Sequence, residues 1–222
     1  MDKKICSEDK LQVIVNGIDI DEYEQRRIAG LDTVGRESCG IDKDAFVVGM
    51  VGRISEQKAP DVFIKAAKQI KEKIPESIFM IVGDGPDREK IESNAKKHGI
   101  PLYITGWVEN ALDYVELFDI ALLLSRWEGF GLALPEYMLV GKPIIACNVD
   151  AIPSIITNGE NGLLVEVDKV NDIVNAVSRL KEDSLMRIYL IKRGRITVHE
   201  KYDAKRVSRE HEDVFETLIA NK

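Results

Sequence analysis

From residue 47 onward, short unbroken apolar runs alternate with stretches whose apolar residues recur every third or fourth position. "VVGMVGR" (47–53) has the continuous apolar character of a strand buried on both faces. The stretch from Pro60 to about Lys73 brings Val62, Phe63, Ala66, Ala67 and Ile70 to one side, and Pro60 suits the first turn of a helix. "SIFMIVGDG" (77–85) predicts the next strand, and "PDREKIESNAKKHG" a helix that stops on Gly99. The alternation continues with a strand at 102–107, a short helix near Asn110 to Leu117 and a strand at 119–125. Helix "LPEYMLVG", a strand at 142–148, short helix "IPSIIT" and strand "GLLVEV" complete it. Apolar strands separated by amphipathic helices predict an α/β fold. Its centre is a doubly wound parallel sheet, Rossmann-like in the broad sense, with both faces covered.

The two ends depart from this rhythm. The region from about 168 to 220 is helical and charged, and its last helix aligns Val207, His211, Val214, Phe215 and Leu218. Amphipathicity alone predicts an ordinary packed helix. The other reading is a brace against a domain outside this chain. At the front, strand-like "LQVIVNGIDI" follows a polar decapeptide directly, and Asn16-Gly17 is a turn signal. The chain reads as a domain cut from something longer.

Composition narrows the function. With 222 residues, 45% of them hydrophobic, the chain suits one large or two small globular domains. No run approaches the roughly 20 apolar residues of a membrane span, and "MDKKICSEDK" lacks the apolar core of a secretory signal. Cys6, Cys39 and Cys147 show no paired or metal-like spacing, which predicts a reduced, cytoplasmic protein. His98, His199 and His211 show no metal spacing either. A net charge of −7, from 31 basic and 38 acidic residues, argues against a nucleic-acid partner. It leaves a small anionic ligand open, because a few local cations outweigh a distant net charge.

In a doubly wound sheet, ligands collect at the carboxyl ends of the strands. Arg53 ends the first predicted strand, and Lys58 stands five residues on, just before a helix. They are natural anion ligands, since free N–H groups of the helix start point the same way. The plainer alternative is two surface cations, in a place where cations oppose the helix dipole unless an anion lies between them. "GDGPDR" keeps the first two glycines of a dinucleotide fingerprint, but Arg88 takes the third place and the motif follows the second strand. Gly83 is better read as a tight turn that lets a ligand approach the backbone.

"WEGFGLALPE" (127–136) holds the most pointed arrangement, with Glu128 and Glu136 eight residues apart. Gly129 and Gly131 permit a sharp turn, and Pro135 puts Glu136 in the first turn of a helix. Free N–H groups near Phe130, Gly131 and Leu132 then face the strand-end crevice. A carboxylate accepts hydrogen bonds in a fork that matches vicinal hydroxyls. Two such forks with amide donors between them describe a site for two sugars flanking a phosphate. The alternative is that Glu136 only complements the helix dipole and Glu128 is solvated.

In this order, "VNGID", "VGRISEQKAPDVFIKAA", "IVGDGP", "GWV", "EGFGLALPE", "GKPIIA" and "NGLLV" resemble the C-terminal domain of retaining GT-B glycosyltransferases, the GT4 family in particular. The likeness runs from about Val13 through nearly the whole chain. It implies that residues 13–205 form a nucleotide-sugar-binding domain, that 1–12 are a remnant or linker, and that 206–222 form a helix packing on an absent N-terminal domain. Arg53 and Lys58 would bind the donor diphosphate. Glu128 and the backbone of Phe130, Gly131 and Leu132 would hold the transferred sugar and adjacent phosphate, and Glu136 the ribose hydroxyls. The segment of Trp107 and Val108 would line the base pocket, and Gly83 counts among the donor-binding residues. Arg53, Lys58 and Glu128 form the implied catalytic set.

The implied reaction moves a hexose from a UDP- or GDP-linked donor to a glycan or lipid-linked acceptor, as in polysaccharide biosynthesis. The acceptor would be held by the N-terminal domain, so the isolated domain is expected to be inactive. No cofactor and no metal is implied. The implied location is the cytoplasm or the inner face of the membrane, with peripheral membrane contact mostly in the absent half. The chain departs from the family pattern at Ala59, where glycine is usual, at "DAIPS" in place of "GG-x-P-E" (Ser154 for the glutamate), and at Tyr137 after Glu136. Two rival readings stand beside this one: a non-catalytic sugar-nucleotide-binding module and a nucleotide-sugar epimerase of GT-B type.

Overall fold

The computed structural model describes Ser7, residues 11–30 and residues 34–220. Its centre is a six-stranded sheet in the order β3-β2-β1-β4-β5-β6. The strands are β1 (Phe46–Val51), β2 (Ser77–Val82), β3 (Leu102–Ile104), β4 (Ile120–Leu123), β5 (Ile144–Cys147) and β6 (Leu163–Val165). Every pairing is parallel. The expected doubly wound α/β fold is what forms. The chain winds outward through β1, β2 and β3, then returns to pair β4 with β1. That reversal leaves a crevice beyond the carboxyl ends of β1 and β4. Strands β1 and β2 stop short of their predicted ends, where Gly52 and Gly83 turn the chain at φ values of 151° and 141°.

Alternate strand residues feed two cores. Val48 and Met50, Phe79 and Ile81, Ile120 and Leu122 face helices α2 (Pro60–Lys73), α3 (Arg88–Lys97) and α7 (Val170–Glu182). Phe63 of α2 meets Phe79 edge-on at 6.1 Å. Val47, Met80, Val82, Ala121 and Leu123 face the opposite core. That core is built from α1 (Ile20–Ala29), α4 (Ala111–Val115), α5 (Ala133–Val140), α6 (Ile152–Ile155) and the end of α8 (Ser184–Lys201). Because each strand is covered on both sides, none shows the polar alternation of a solvated sheet.

Three expectations at the ends are corrected. The strand-like run before residue 20 forms no strand; Ile18 only bridges to Asp203, donating its N–H to the Tyr202 carbonyl at 2.8 Å. Gly17 serves close packing there, since a Cβ would lie 2.7 Å from the Cα of Ala204. Helix α1 then begins where none was expected. The Asp19 carboxylate caps it by accepting the Glu22 N–H at 2.9 Å, and Gly30 ends it in left-handed conformation. Lastly, α9 (Ala204–Ala220) is not an ordinary packed helix: Val207 is buried, but Phe215, Leu218 and Ile219 are 61%, 60% and 71% exposed. Among the described residues no helix is long and apolar enough to cross a membrane.

Candidate functional site

Two loops border the crevice. In the first, after β1, Arg53 is exposed and makes no hydrogen bond or ion pair among the described residues. The next residue, Ile54, is buried and ties the loop to its neighbour: its N–H donates to the Asp84 carbonyl at 2.9 Å, and its own carbonyl accepts from Asp87 at 3.1 Å. A short 3-10 turn, Glu56–Lys58, follows. The stem of Lys58 lies against Gly52, where a Cβ would come within 3.3 Å of it. Ala59 then adopts a left-handed conformation (φ 50°, ψ 48°) before Pro60 starts α2. The change from the usual glycine is therefore a source of strain, about 1–2 kcal/mol for a residue with a Cβ.

In the second loop, after β4, Glu128 is buried, with 8% of its surface exposed. Its Oε2 contacts the Lys58 ammonium and accepts the Ser125 hydroxyl at 3.0 Å, so the carboxylate is not solvated. Its Oε1 has no protein partner among the described residues. Gly131 turns the chain at φ 90°, where a Cβ would come within 3.3 Å of Glu128 Cγ. The N–H groups of Phe130, Gly131 and Leu132 have no acceptor among the described residues. Such unmade donors at a helix start favour an anion. The Phe130 ring packs edge-on against Tyr202, 5.8 Å away, and half-exposed Leu132 stands at the N-cap of α5.

Glu136 lies in the first turn of α5, as expected. It makes no hydrogen bond through its carboxyl among the described residues, and burial pushes that carboxyl up to about 7. It lines a cleft of about 270 Å³ together with Tyr23, Arg26 and Asn110. A second cleft, of about 500 Å³, is lined by Arg53, Gly83, Trp107 and Val108. Ala111 belongs to both walls, so the two clefts adjoin. Trp107 is 81% exposed at the rim. Gly83 also serves loop packing: a Cβ there would lie 2.2 Å from the Gly52 carbonyl oxygen.

The structure thus brings Lys58 to Glu128, gathers Arg53, Gly83 and Val108 around one cleft, and puts Glu136 in the cleft beside it. Arg53 does not join the Lys58–Glu128 contact. Several supporting residues escaped the sequence reading. Arg126 binds Asp168 and Asp61, each at 3.0 Å, and its N–H donates to the Gln57 carbonyl at 2.8 Å. Those bonds pin the Glu128 loop to the turn that carries Lys58. Asp150 accepts the Glu128 N–H at 2.9 Å. Ser125 had a weak signal, as the last residue of the strand predicted at 119–125. Among the described residues no group of three or more His, Cys, Asp or Glu could hold a metal ion.

Residues 33–197 match the family described as "Glycosyl transferases group 1". The chain belongs to that family. Among curated relatives it is similar to UDP-Gal:alpha-D-GlcNAc-diphosphoundecaprenol alpha-1,3-galactosyltransferase of Escherichia coli. The two are 30% identical over 236 residues, which covers 100% of this chain and 59% of the relative. Among solved structures it is similar to Anabaena Alr3699/HepE in complex with UDP-glucose, with a TM-score of 0.82 at 21% identity, over 93% of this chain and 57% of that one. It is also similar to the C-terminal domain of the group 1 family protein LpcC from Francisella tularensis, with a TM-score of 0.66 at 26% identity, over 86% of this chain and 97% of that one. The fold is that of the C-terminal half of a GT-B glycosyltransferase, and the chain spans a little over half the length of the E. coli relative.

Proposed function

We propose that this chain forms the donor site of a glycosyltransferase that moves a hexose from a nucleoside diphosphate sugar to a glycan or lipid-linked acceptor. The observation that carries the reading is the junction of the two loops. Lys58 meets Glu128 there, the loop of Glu128 carries three unmade N–H donors at the start of α5, and the loop of Lys58 carries the unpaired Arg53. Cations and amides so placed suit a diphosphate, and a carboxylate with one free oxygen suits a sugar hydroxyl. A uridine donor is supported by the E. coli relative, named for UDP-Gal, and by the HepE complex with UDP-glucose.

In this reading the breaking bond joins the anomeric carbon to the diphosphate, and negative charge grows on the departing phosphate oxygens. Arg53, Lys58 and the Phe130, Gly131 and Leu132 N–H groups would stabilise that charge, with no metal needed in this reading. Glu128 orients the transferred hexose, Glu136 takes the ribose hydroxyls, and Trp107 with Val108 lines the base cleft. The acceptor hydroxyl attacks from the same face, giving retention, and passes its proton to the leaving phosphate. The acceptor sits on a further domain, which the open apolar side of α9 meets. The enzyme works in the cytoplasm, at the inner face of the membrane when its acceptor is lipid-linked.

Calorimetric titration with UDP, GDP and ADP in metal-free buffer, on wild type and Glu136→Ala, tests this. Binding of UDP that the variant loses is the expected result. Binding of none of the three overturns the proposal.

A further inference from the structure

Among the described residues, three that are not glycine have left-handed backbone: Ala59 (φ 50°), Asp150 (φ 44°) and Asp168 (φ 59°). They lie in three separate loops, after β1, β5 and β6, yet all three serve one segment. Ala59 follows Lys58, whose ammonium contacts Glu128. Asp168 binds Arg126 at 3.0 Å. Asp150 accepts the Glu128 N–H at 2.9 Å, while Ala151 donates its N–H to the Glu128 carbonyl at 3.4 Å. Left-handed backbone is costly for a residue with a Cβ and persists only where its surroundings over-determine it, most often at functional sites.

Asp150 is the most telling of the three. It stands where the family pattern has the first of two glycines, and glycine would adopt this φ without penalty. The chain instead keeps a strained aspartate, whose one hydrogen bond among the described residues goes to the backbone of Glu128. We propose that Asp150 is a positioning residue for Glu128 and sets how firmly the transferred sugar is held. This rests on the donor-site reading above.

The reasoning is geometric. Lys58 and Ser125 both engage Oε2, so the free Oε1 is the atom left for a sugar hydroxyl. Its direction is fixed at the carboxylate end by those two contacts and at the backbone end by Asp150 and Ala151. Releasing the backbone end lets Oε1 swing, while Arg53 and the α5 N–H groups, which would take the phosphates, stay as they are. Sugar affinity should fall and nucleotide affinity should not.

The test is calorimetric titration of the 222-residue chain with UDP and with UDP-galactose, on wild type, Asp150→Gly and Asp150→Asn, with thermal melting of each. Asp150→Gly loses the hydrogen bond but also the strain, so it should melt no lower than wild type and bind UDP to within about twofold. Its ratio of UDP-galactose to UDP dissociation constants should rise about tenfold, the size of one hydrogen bond to a charged group. Asp150→Asn keeps an acceptor oxygen and should hold that ratio within about threefold of wild type. An unchanged ratio in Asp150→Gly, or parallel weakening of both ligands, overturns the positioning role alone. Should Asp150→Gly not fold, a tenfold rise in Asp150→Asn overturns it equally. Wild type that binds neither ligand overturns the donor-site reading and the proposal with it.

Discussion

The phenol of Tyr137 accepts the backbone N–H of Val51 at 2.7 Å and donates to the Leu122 carbonyl at 3.3 Å. One buried side chain, adjacent to Glu136 on α5, thereby ties the end of β1 to β4. Gly52 and Arg53 leave β1 immediately after Val51, so the bond holds the Arg53 loop in place relative to Glu136. Burial pushes the Tyr137 phenol far above its ordinary range, and it stays protonated and able to donate. Tyr137→Phe keeps the ring and its edge-on contact with Phe118 but leaves the Val51 N–H unmade. A loss of about 1–3 kcal/mol in urea unfolding is expected, the cost of an unsatisfied buried donor.

A second prediction concerns the pair at the loop junction. The side chains of Lys58 and Glu128 are 16% and 10% exposed, so solvent screens their contact little. Lys58→Ala leaves the Glu128 carboxylate with Ser125 as its one hydrogen-bond partner among the described residues and should destabilise the chain by about 3 kcal/mol. Glu128→Gln should act oppositely on ligand affinity. It frees the Lys58 ammonium from its counter-charge, and UDP should bind up to about tenfold more tightly. Calorimetry on both single variants and the double variant measures the coupling. Weaker UDP binding in Glu128→Gln would show that Lys58 does not face the diphosphate.

The sheet was legible because a parallel strand covered on both faces leaves an unbroken apolar run, and six such runs lie between residues 46 and 165. Helix α1 was not, for only Ile20 and Tyr23 of its ten residues are buried. So narrow a stripe shows no period, although Asp19 and Gly30 stood at its ends as cap signals. Arg53, Lys58, Glu128 and Glu136 could be singled out as candidates because each lies at a strand end or helix start, places that a one-dimensional reading can locate. Asp150 and the Arg126–Asp168 pair were not, because their contacts join residues 22 and 42 positions apart in different loops. Spacing along the chain carries no trace of such bonds.

Ala59 offers a direct measure of stored strain. Alanine to glycine within a helix costs about 1 kcal/mol, and Ala66→Gly in α2 should show at least that, with its buried methyl lost as well. At Ala59, itself fully buried, the same change releases about 1–2 kcal/mol of left-handed strain. The terms offset, and Ala59→Gly should unfold within about 1 kcal/mol of wild type. Ala59→Val, which cannot adopt this backbone cheaply, should be the worst of the three. Chemical denaturation of the set decides it, and equal losses for Ala59→Gly and Ala66→Gly would contradict the strain.

Glu136 makes the stability depend on pH in a defined direction. Burial raises its carboxyl from an ordinary 4.5 to about 7. The folded chain therefore holds this proton more tightly than the unfolded chain, and the unfolded state binds fewer protons between those values. The contribution is complete below about 4.5 and is lost as pH rises through about 7, amounting to about 3 kcal/mol at most. Glu136→Gln should lack this slope and be more stable than wild type at pH values above 7. Ribose hydroxyls, by contrast, donate to the ionised carboxylate and favour it. UDP binding to wild type should then release a proton near neutral pH and strengthen as pH rises through about 7. Calorimetry in buffers of differing ionisation enthalpy counts that proton. Affinity that is flat across this range, with Glu136→Gln binding as well as wild type, would remove Glu136 from the ribose site.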